Sequence, residues 1–393
     1  MADRFGGRWL IGGSVLLSSV VALLTPSAAR IHIVLLIILR VLSGLGESVL
    51  LPAILAMVAR WSAPGYRSVV VTGIYLGGTV GIIVGMFLTG VLCDYGFAGG
   101  WPSAFYVFGA FGCVCSVAWF LLCHNSPSDH PGISADERKY WETVIGAADL
   151  VARPPTPWRE MFTSVPVWAL AAAYFAQSWG FHILIVCLPL FMHDVLGFNM
   201  TKNGVYSAVP FMPALVMLPV GGLFADWLRA PGRLSTNAVR KIICAGGFAL
   251  SGCFFILSTY IGCNRVLVVA AVCVAAVGLC LLVNTVIVNQ LDLAPLHAGK
   301  IMGLTYTIAN LGTIGGTYAV SVLTYRNSTR SAWQNVFFLT AAVYVFGAVM
   351  FILFGSGYRQ PWAGDTSRGE VTVRPTPDRK TENLGDKEVT EID

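Results

Sequence analysis

The 393-residue sequence contains little charge. Only 11% of its residues are Asp, Glu, Lys or Arg, whereas a soluble globular domain carries about 25%. Apolar residues make up 56% of the chain, and a soluble domain cannot hide so large a share from water. The composition therefore excludes an ordinary soluble protein and predicts an integral membrane protein with several spans.

The usual signatures of chemistry are also missing. None of the ten cysteines forms a C-x-x-C pair, and those in apolar runs, such as Cys113 and Cys273, are interpreted as small packing residues. No metal-ligand cluster, nucleotide loop or nucleophile–base pair stands out. We therefore predict no enzyme, no metal, no cofactor and no nucleic-acid partner. The start of the chain, MADRFGGR, does not resemble a signal peptide.

What the sequence does contain is apolar segments long enough to cross a bilayer, about 20 residues each. Each should be a helix, because lipid offers no partner to a bare peptide group, and the alternation of a membrane barrel is absent. The predicted class is thus an all-α polytopic membrane protein. The ten segments are 9–25, 31–60, 67–92, 101–123, 165–192, 203–228, 240–261, 265–290, 300–325 and 332–354.

Two polar segments divide the chain. Four apolar segments lie in residues 1–123, and six lie in residues 165–354. Between them, residues 124–164 are predicted to form a cytosolic central loop rich in proline. Residues 355–393 carry many charges and almost nothing apolar, which predicts a disordered cytosolic tail.

The basic residues predict the orientation. With the N-terminus in the cytosol, 19 of the 25 Lys and Arg residues fall in cytosolic segments and five fall outside, as the positive-inside rule expects. The glycosylation sequons at Asn199 and Asn327 both lie in predicted outside loops.

A charged turn occurs twice. The stretch "ADRFGGRWL" at 2–10 is echoed by "ADWLRAPGRL" at 225–234, which suggests an internal repeat of the kind that builds many transporters. In the second half this turn follows two helices, whereas in the first half it begins the chain. We expect Asp3 with Arg4, and Asp226 with Arg229, to cap helix ends and to hold a cytosolic gate.

The "DRFGGR" turn resembles part of a motif of the major facilitator superfamily, and the chain as a whole resembles the anion/cation symporter family, which includes sialin and the vesicular glutamate transporters. The resemblance implies a twelve-helix fold of which only helices 3–12 are present, so that the first half is partial. The matching stretches are "RVLSGLGESVLLPA" (40–53), "WSAPGYRS" (61–68), "FYVFG" (105–109), "SPSDHPGISADERKY" (126–140), "PTPWREMFTSVPVWA" (155–169), "LSTNAVRKI" (234–242), "NQLDLAP" (289–295) and "SGYRQPWA" (356–363).

Arg40 and Glu47 lie inside an apolar segment, where a charge costs about 2.5–3.5 kcal/mol on insertion scales. Their spacing places them on one helix face, ~10 Å apart along the axis. Arg40 is predicted to bind an anionic substrate and Glu47 to exchange a proton. The alternative is a buried ion network that only joins helices. The family resemblance, which includes an Arg and a Glu at this spacing, favours the functional interpretation.

Other polar residues within the apolar segments are further candidates. Gln177, Tyr75, Asn284 and Asn289 are predicted to contact substrate, with hydrogen bonding between helices as the alternative. His182 is a candidate proton site, although a packing histidine is the more common case. In the glutamate carriers that this chain resembles, an arginine stands where this chain has Gln177. The absence of that arginine argues against glutamate as the substrate.

The sequence therefore predicts a secondary active symporter of organic or inorganic anions that works by alternating access. Its partners would be a small anionic substrate, H⁺ or Na⁺ as the coupling ion, and the lipid bilayer. The alternative is a truncated, transporter-like membrane protein that does not transport. Plasma membrane and lysosomal or vesicular membrane are both left open.

The predicted topology can be tested with epitope tags. An even number of spans returns the chain to its starting side, so tags at both ends should be shielded from antibody in intact cells and stained after permeabilisation. Staining of one tag alone in intact cells would show an odd number of spans.

Overall fold

The computed structural model describes residues 6–62, 67–125, 131–134, 137, 156–230, 233–261, 264–325 and 328–363. Every regular element in these ranges is helical, which confirms the all-α prediction.

The first half contains five helices within its described residues. The predicted segment 31–60 is two helices rather than one, and the break at Ser48 and Val49 has a local cause. Pro52 has no N–H to donate to the Ser48 carbonyl one turn earlier, and the Ser48 hydroxyl donates to the Leu45 carbonyl. The five helices are α1 (Gly7–Ile31), α2 (Ile33–Glu47), α3 (Leu50–Trp61), α4 (Arg67–Tyr95) and α5 (Trp101–Leu122).

The second half follows a short helix inside the predicted central loop, α6 (Trp158–Thr163). A π-helical turn, Ile183–Cys187, interrupts its first long helix directly after His182. The remaining helices are α7 (Val165–His182), α8 (Leu188–Asp194), α9 (Met200–Ala208), α10 (Met212–Leu228), α11 (Thr236–Tyr260), α12 (Arg265–Leu293), α13 (Ala298–Thr324) and α14 (Arg330–Phe354).

All ten predicted segments correspond to helical spans. Within the described residues, nine spans are long and apolar enough to cross a membrane, with α2 and the start of α3 counted as one. The tenth, α13, has 27 residues but is not among the nine, because residues such as Thr305, Thr307, Asn310 and Thr313 interrupt its apolar sequence.

The well-packed core lies in the second half. Helix α7 packs against α13 and α14, and α11 packs against α12 and α14. At the centre, the Phe191 ring lies 5.3 Å from Trp333 and 5.4 Å from Phe337, and Phe337 stacks on Phe255 at 5.3 Å. Such aromatic pairs add to the energy of burial.

The first half leaves more of its apolar side chains exposed. Helix α1 packs against α2 and α5, and the buried Ser116 hydroxyl donates to the Gly12 carbonyl at 2.8 Å. The large apolar side chains of α2, from Ile33 to Leu45, are mostly exposed. Its side chains therefore face either lipid or further protein.

Residues 355–363, predicted as the start of a disordered tail, are ordered instead. Asn289 donates to the Ser356 carbonyl at 3.0 Å, the Gly357 N–H donates to Asn237 Oδ1 at 2.9 Å, and the Gln360 N–H donates to the Leu293 carbonyl at 2.9 Å. These bonds fasten the segment to the ends of α11 and α12. The rest of the predicted tail, and most of the predicted central loop, lie outside the described residues.

A buried ion pair joins α11 to α12 at the same end. Arg240 is 1% exposed, and its Nε donates to the Asp292 carboxylate at 2.8 Å. A charge so deeply buried is tolerated because its counter-charge lies beside it.

We expect Asp292→Ala to lower the free energy of unfolding by about 3–5 kcal/mol, because it leaves the buried guanidinium without its carboxylate. Asp226→Ala is the matched control. It removes the exposed carboxylate of the Asp226–Arg229 pair, and such pairs contribute only about 0–1 kcal/mol. Unfolding in detergent measures both, and equal losses would contradict the assignment.

Candidate functional site

A cavity of about 210 Å³ lies between the two halves. Helices α3 and α4 of the first half contribute to its wall, as do α7, α10, α12 and α13 of the second half. Most of the wall is apolar. The lining residues with polar atoms are Tyr75, Thr79, Tyr174, Gln177, Ser178, His182, Cys280 and Tyr306.

Helix α7 supplies four of these polar residues from a single stripe. Tyr174, Gln177, Ser178 and His182 are spaced at intervals of three, one and four, which keeps them on one face of an α-helix. The opposite side of α7 carries buried alanines such as Ala169 and packs into the second-half core. The π-turn follows directly after His182, and such turns occur often at functional sites.

A hydrogen-bond network links α7 to α13 beside the cavity. His182 Nδ1 lies 3.0 Å from the Ser178 carbonyl and 3.0 Å from the Thr313 hydroxyl. The Ser178 and Thr313 hydroxyls are 2.8 Å apart. The imidazole is therefore held in one orientation.

The Gln177 amide is the least satisfied polar group of the wall. The residue is 5% exposed, and its Oε1 accepts no hydrogen bond from the described residues. A buried polar atom without a partner costs about 1–3 kcal/mol. Nearby, the rings of Tyr174 and Tyr306 lie 5.9 Å apart at 54°.

The lining residues within the described part of the chain include no Lys, Arg, Asp or Glu. The polar groups that the cavity offers a solute are thus hydroxyls, an amide, a thiol and one imidazole. Such groups can hydrogen-bond a ligand, but none of them supplies a fixed charge.

Helices α4 and α9 close one end of the space between the halves. A Cβ on Gly90 would lie 2.9 Å from Gly204 Cα and 2.8 Å from the Met200 carbonyl, so only glycine permits this approach. The Asp94 carboxylate accepts from the Thr201 N–H at 2.8 Å and also from the Thr201 hydroxyl. In the predicted orientation this seam is on the outer side.

The structure brings together three of the predicted site residues: Tyr75, Gln177 and His182 all line the cavity. Sequence reasoning missed Tyr174 and Tyr306. For Tyr174 a signal existed, because it lies three residues before Gln177 and so shares its face. No comparable signal marks Tyr306 on α13.

Arg40 and Glu47 lie elsewhere. Both are exposed on α2 and neither lines the cavity. The Arg40 guanidinium lies over the Phe105 ring at 5.3 Å, and Glu47 accepts a 2.8 Å bond from Ser43. Neither side chain contacts the described cavity, because α2 packs outward on α1 rather than between the halves.

Of the two predicted asparagines, only Asn289 can be placed. Asn289 does not line the cavity, because α12 turns it toward the segment that begins at Ser356. The side chain of Asn284 lies outside the described part of the chain, although its helix neighbour Val283 lines the cavity.

Two further predicted positions, Asp226 and Asn199, lie at helix ends. Asp226 forms an ion pair with Arg229 at the end of α10, whereas Asp3 and Arg4 lie outside the described residues. Asn199 is exposed, and its Oδ1 caps α9 by accepting from Lys202 N–H at 3.1 Å. The other sequon residue, Asn327, is not described.

Comparison with known proteins identifies the family. A model of the Major Facilitator Superfamily matches residues 1–317. The chain belongs to this superfamily. It is 36% identical to vesicular glutamate transporter 3 of Danio rerio over an alignment of 397 positions, which covers 100% of this chain and 65% of the relative. It is 37% identical to vesicular glutamate transporter 2 of Mus musculus, over 94% of this chain and 63% of the relative.

The chain thus spans slightly less than two thirds of the length of these curated relatives. The expectation that two helices are missing before α1 stays a prediction.

Solved structures show the same fold. A D-xylose-proton symporter matches with a TM-score of 0.70 at 11% identity, over 91% of this chain and 84% of the symporter. A bacterial homolog of the human lysosomal transporter Spinster, inward-facing and unoccupied, matches with a TM-score of 0.66 at 16% identity, over 90% and 83%. This superfamily member is therefore an integral, multi-pass membrane protein, and its relatives are transporters rather than enzymes.

Gln177 can be tested as a ligand anchor by measuring stability alone. Because its Oε1 lacks a partner, Gln177→Met should leave the free energy of unfolding unchanged or raise it by up to about 1–3 kcal/mol. The control is Asn203→Leu. Asn203 is 6% exposed, and it donates to the Pro189 carbonyl and accepts from Ser207.

The control variant should lose about 1–3 kcal/mol in the same measurement, because its bonding partners would be left unsatisfied. A comparable loss in Gln177→Met would show that Gln177 joins helices instead.

Proposed function

We propose that this protein is a secondary active transporter that carries a small anion through the cavity by alternating access. The observation that carries this proposal is that both halves build the wall of one cavity, with Tyr75 of α4 opposite Gln177 and His182 of α7. Transporters of repeated architecture bind substrate at such an interface, and the halves then rock around it.

The contact between the halves suits such a motion. Helix α4 packs against α9, α10 and the 3₁₀ turn Val209–Phe211. At the outer end this contact includes the Gly90–Gly204 approach and the Asp94–Thr201 bonds. Few interlocked side chains would have to separate there for the outer side to open.

The anionic class is supported by the relatives and by the donors in the cavity. The relatives are named as transporters of glutamate, whose carboxylates are anionic at neutral pH. Tyrosine and serine hydroxyls and the Gln177 amide can donate to a carboxylate or phosphate. We propose H⁺ or Na⁺ as the driving ion and symport as the mode, with Arg40 and Glu47 as further candidates for anion and proton binding.

A transporter-like protein that does not transport is the second candidate. The observation in its favour is that Arg40 and Glu47, predicted to bind anion and proton, lie on an exposed face outside the cavity.

Uptake into proteoliposomes distinguishes the two candidates. The purified chain should accumulate at least one of labelled 4-aminobenzoate, glutamate or phosphate above protein-free vesicles when an inward H⁺ or Na⁺ gradient is imposed. The outer seam can be locked by a disulfide between the cysteines introduced by Asp94→Cys and Thr201→Cys, in a chain that also carries Cys93→Ser. This disulfide should abolish uptake.

Reduction of the disulfide should restore uptake, and each single cysteine variant should transport normally under oxidising conditions. If no solute accumulates, the non-transporting alternative is favoured. If the locked variant transports at the normal rate, alternating access at this seam is wrong.

A further inference from the structure

Among the described residues that line the cavity, His182 alone has a side chain that can become positively charged near neutral pH. The other titratable groups around it can only become negative, with ordinary pKa values near 10 for tyrosine and about 8.5 for cysteine. They come from α4, α7, α12 and α13, and from α14, which places Tyr344 against Gly180 of α7. These groups are Tyr75, Tyr174, Cys280, Tyr306 and Tyr344.

The network around His182 determines which ring nitrogen is available. The Ser178 carbonyl, 3.0 Å from Nδ1, can only accept a hydrogen bond, so Nδ1 carries a hydrogen in both the neutral and the charged ring. The Thr313 hydroxyl oxygen shares this one hydrogen in a three-centre bond, and its own hydrogen can be donated to the Ser178 hydroxyl. Nε2 has no hydrogen-bond partner among the described residues, so the added proton goes there.

We propose that His182, protonated at Nε2, binds the carboxylate of a small monoanion with a ring-sized apolar body, while Gln177 binds a hydrogen-bond donor elsewhere on the same molecule. This inference rests on the proposed function, since it names the substrate class and the coupling ion of that cavity. The buried, unpartnered Gln177 Oε1 is the second observation that indicates a ligand.

The size and walls of the cavity define the class. At about 210 Å³ the cavity is moderately larger than the ~150 Å³ cavity that accepts benzene. Tyr174 and Tyr306 present two tilted rings, and Ile82, Leu218 and Leu279 add apolar surface. A single-ring carboxylate matches these walls better than a dicarboxylate, whose second charge would meet no cation there.

Charge balance follows from this pairing. One anion and one proton enter the cavity together and leave together, so the loaded cavity carries no net charge beyond that of the empty one. Proton and anion each favour the binding of the other, as linkage requires. Transport of a monoanion by this route is electroneutral and is driven by a pH gradient rather than by membrane potential.

The experiment is calorimetric titration of the full chain in detergent with 4-aminobenzoate, a single-ring monoanion with an N–H donor. Repeating the titration in buffers of different ionisation enthalpy gives the number of protons taken up per anion. Between about pH 5 and pH 8, where histidine ordinarily titrates, uptake should approach one proton per bound anion at some pH. Binding should weaken as the pH rises.

Two variants and a control assign this proton. His182→Gln should take up no proton, and at the acid end of the range it should bind 4-aminobenzoate at least about tenfold more weakly than the unaltered protein does. His182→Lys, with a fixed charge, should bind without proton uptake. His193→Gln alters an exposed histidine paired with Asp194 at the end of α8 and should match the unaltered protein.

Several outcomes would overturn the inference: no saturable binding of 4-aminobenzoate, binding without proton uptake, or proton uptake that persists in both His182 variants. Proton-linked binding without any uptake into vesicles would contradict the proposed transport function and leave this binding site standing. Transport that His182→Gln leaves unchanged would contradict the role of His182 and leave the proposed transport function standing.

Discussion

A polar group inside a bilayer must find its partner within the protein, because hydrocarbon offers none. This constraint explains the arrangement of α7. Its polar stripe faces inward, where His182 binds to Ser178 and to Thr313 of α13. Thr313, one of the threonines that keep α13 from being a strongly apolar span, is thus a partner of the site.

The two halves are unequal in their packing. The second half has an aromatic core around Phe337 and Trp333, whereas α2 of the first half exposes most of its apolar side chains. Between them, α4 places Ile82, Ile83 and Met86 against the core of the second half. Among the described residues, most of the contact between the halves comes from α4, and motion of two bodies about such a contact is the usual basis of hinge or rocking transitions.

The cost of burying an unpaired charge explains why fixed charges lie outside the cavity. A guanidinium in an empty, poorly hydrated cavity would be a buried charge without a partner, which is strongly unfavourable. In this structure the fixed cation Arg40 is exposed beside Phe105, and the buried Arg240 is paired with Asp292. The described residues that line the cavity carry no fixed charge, and under the proposed coupling its imidazole becomes charged when a proton and an anion bind.

Much of the fold could be predicted because the bilayer constrains each segment of the chain separately. Ten apolar runs give ten helical spans, since length and apolarity are properties of each segment alone. The same rule drew attention to Tyr75, Gln177 and His182, which are polar side chains inside apolar runs. It failed for residues 355–363, whose polar composition indicates disorder until their bonds to Asn237, Asn289 and Leu293 are known.

The sequence by itself determined where the helices lie and which of their faces carry polar groups, because periodicity and composition are local. Only the tertiary structure decided which faces meet. Arg40 and Glu47 share a face as their spacing predicts, but that face does not line the cavity. Tyr306 joins the cavity although nothing near it in sequence marks it. The reason is physical: the direction a helix face points is set by packing against segments distant in the chain.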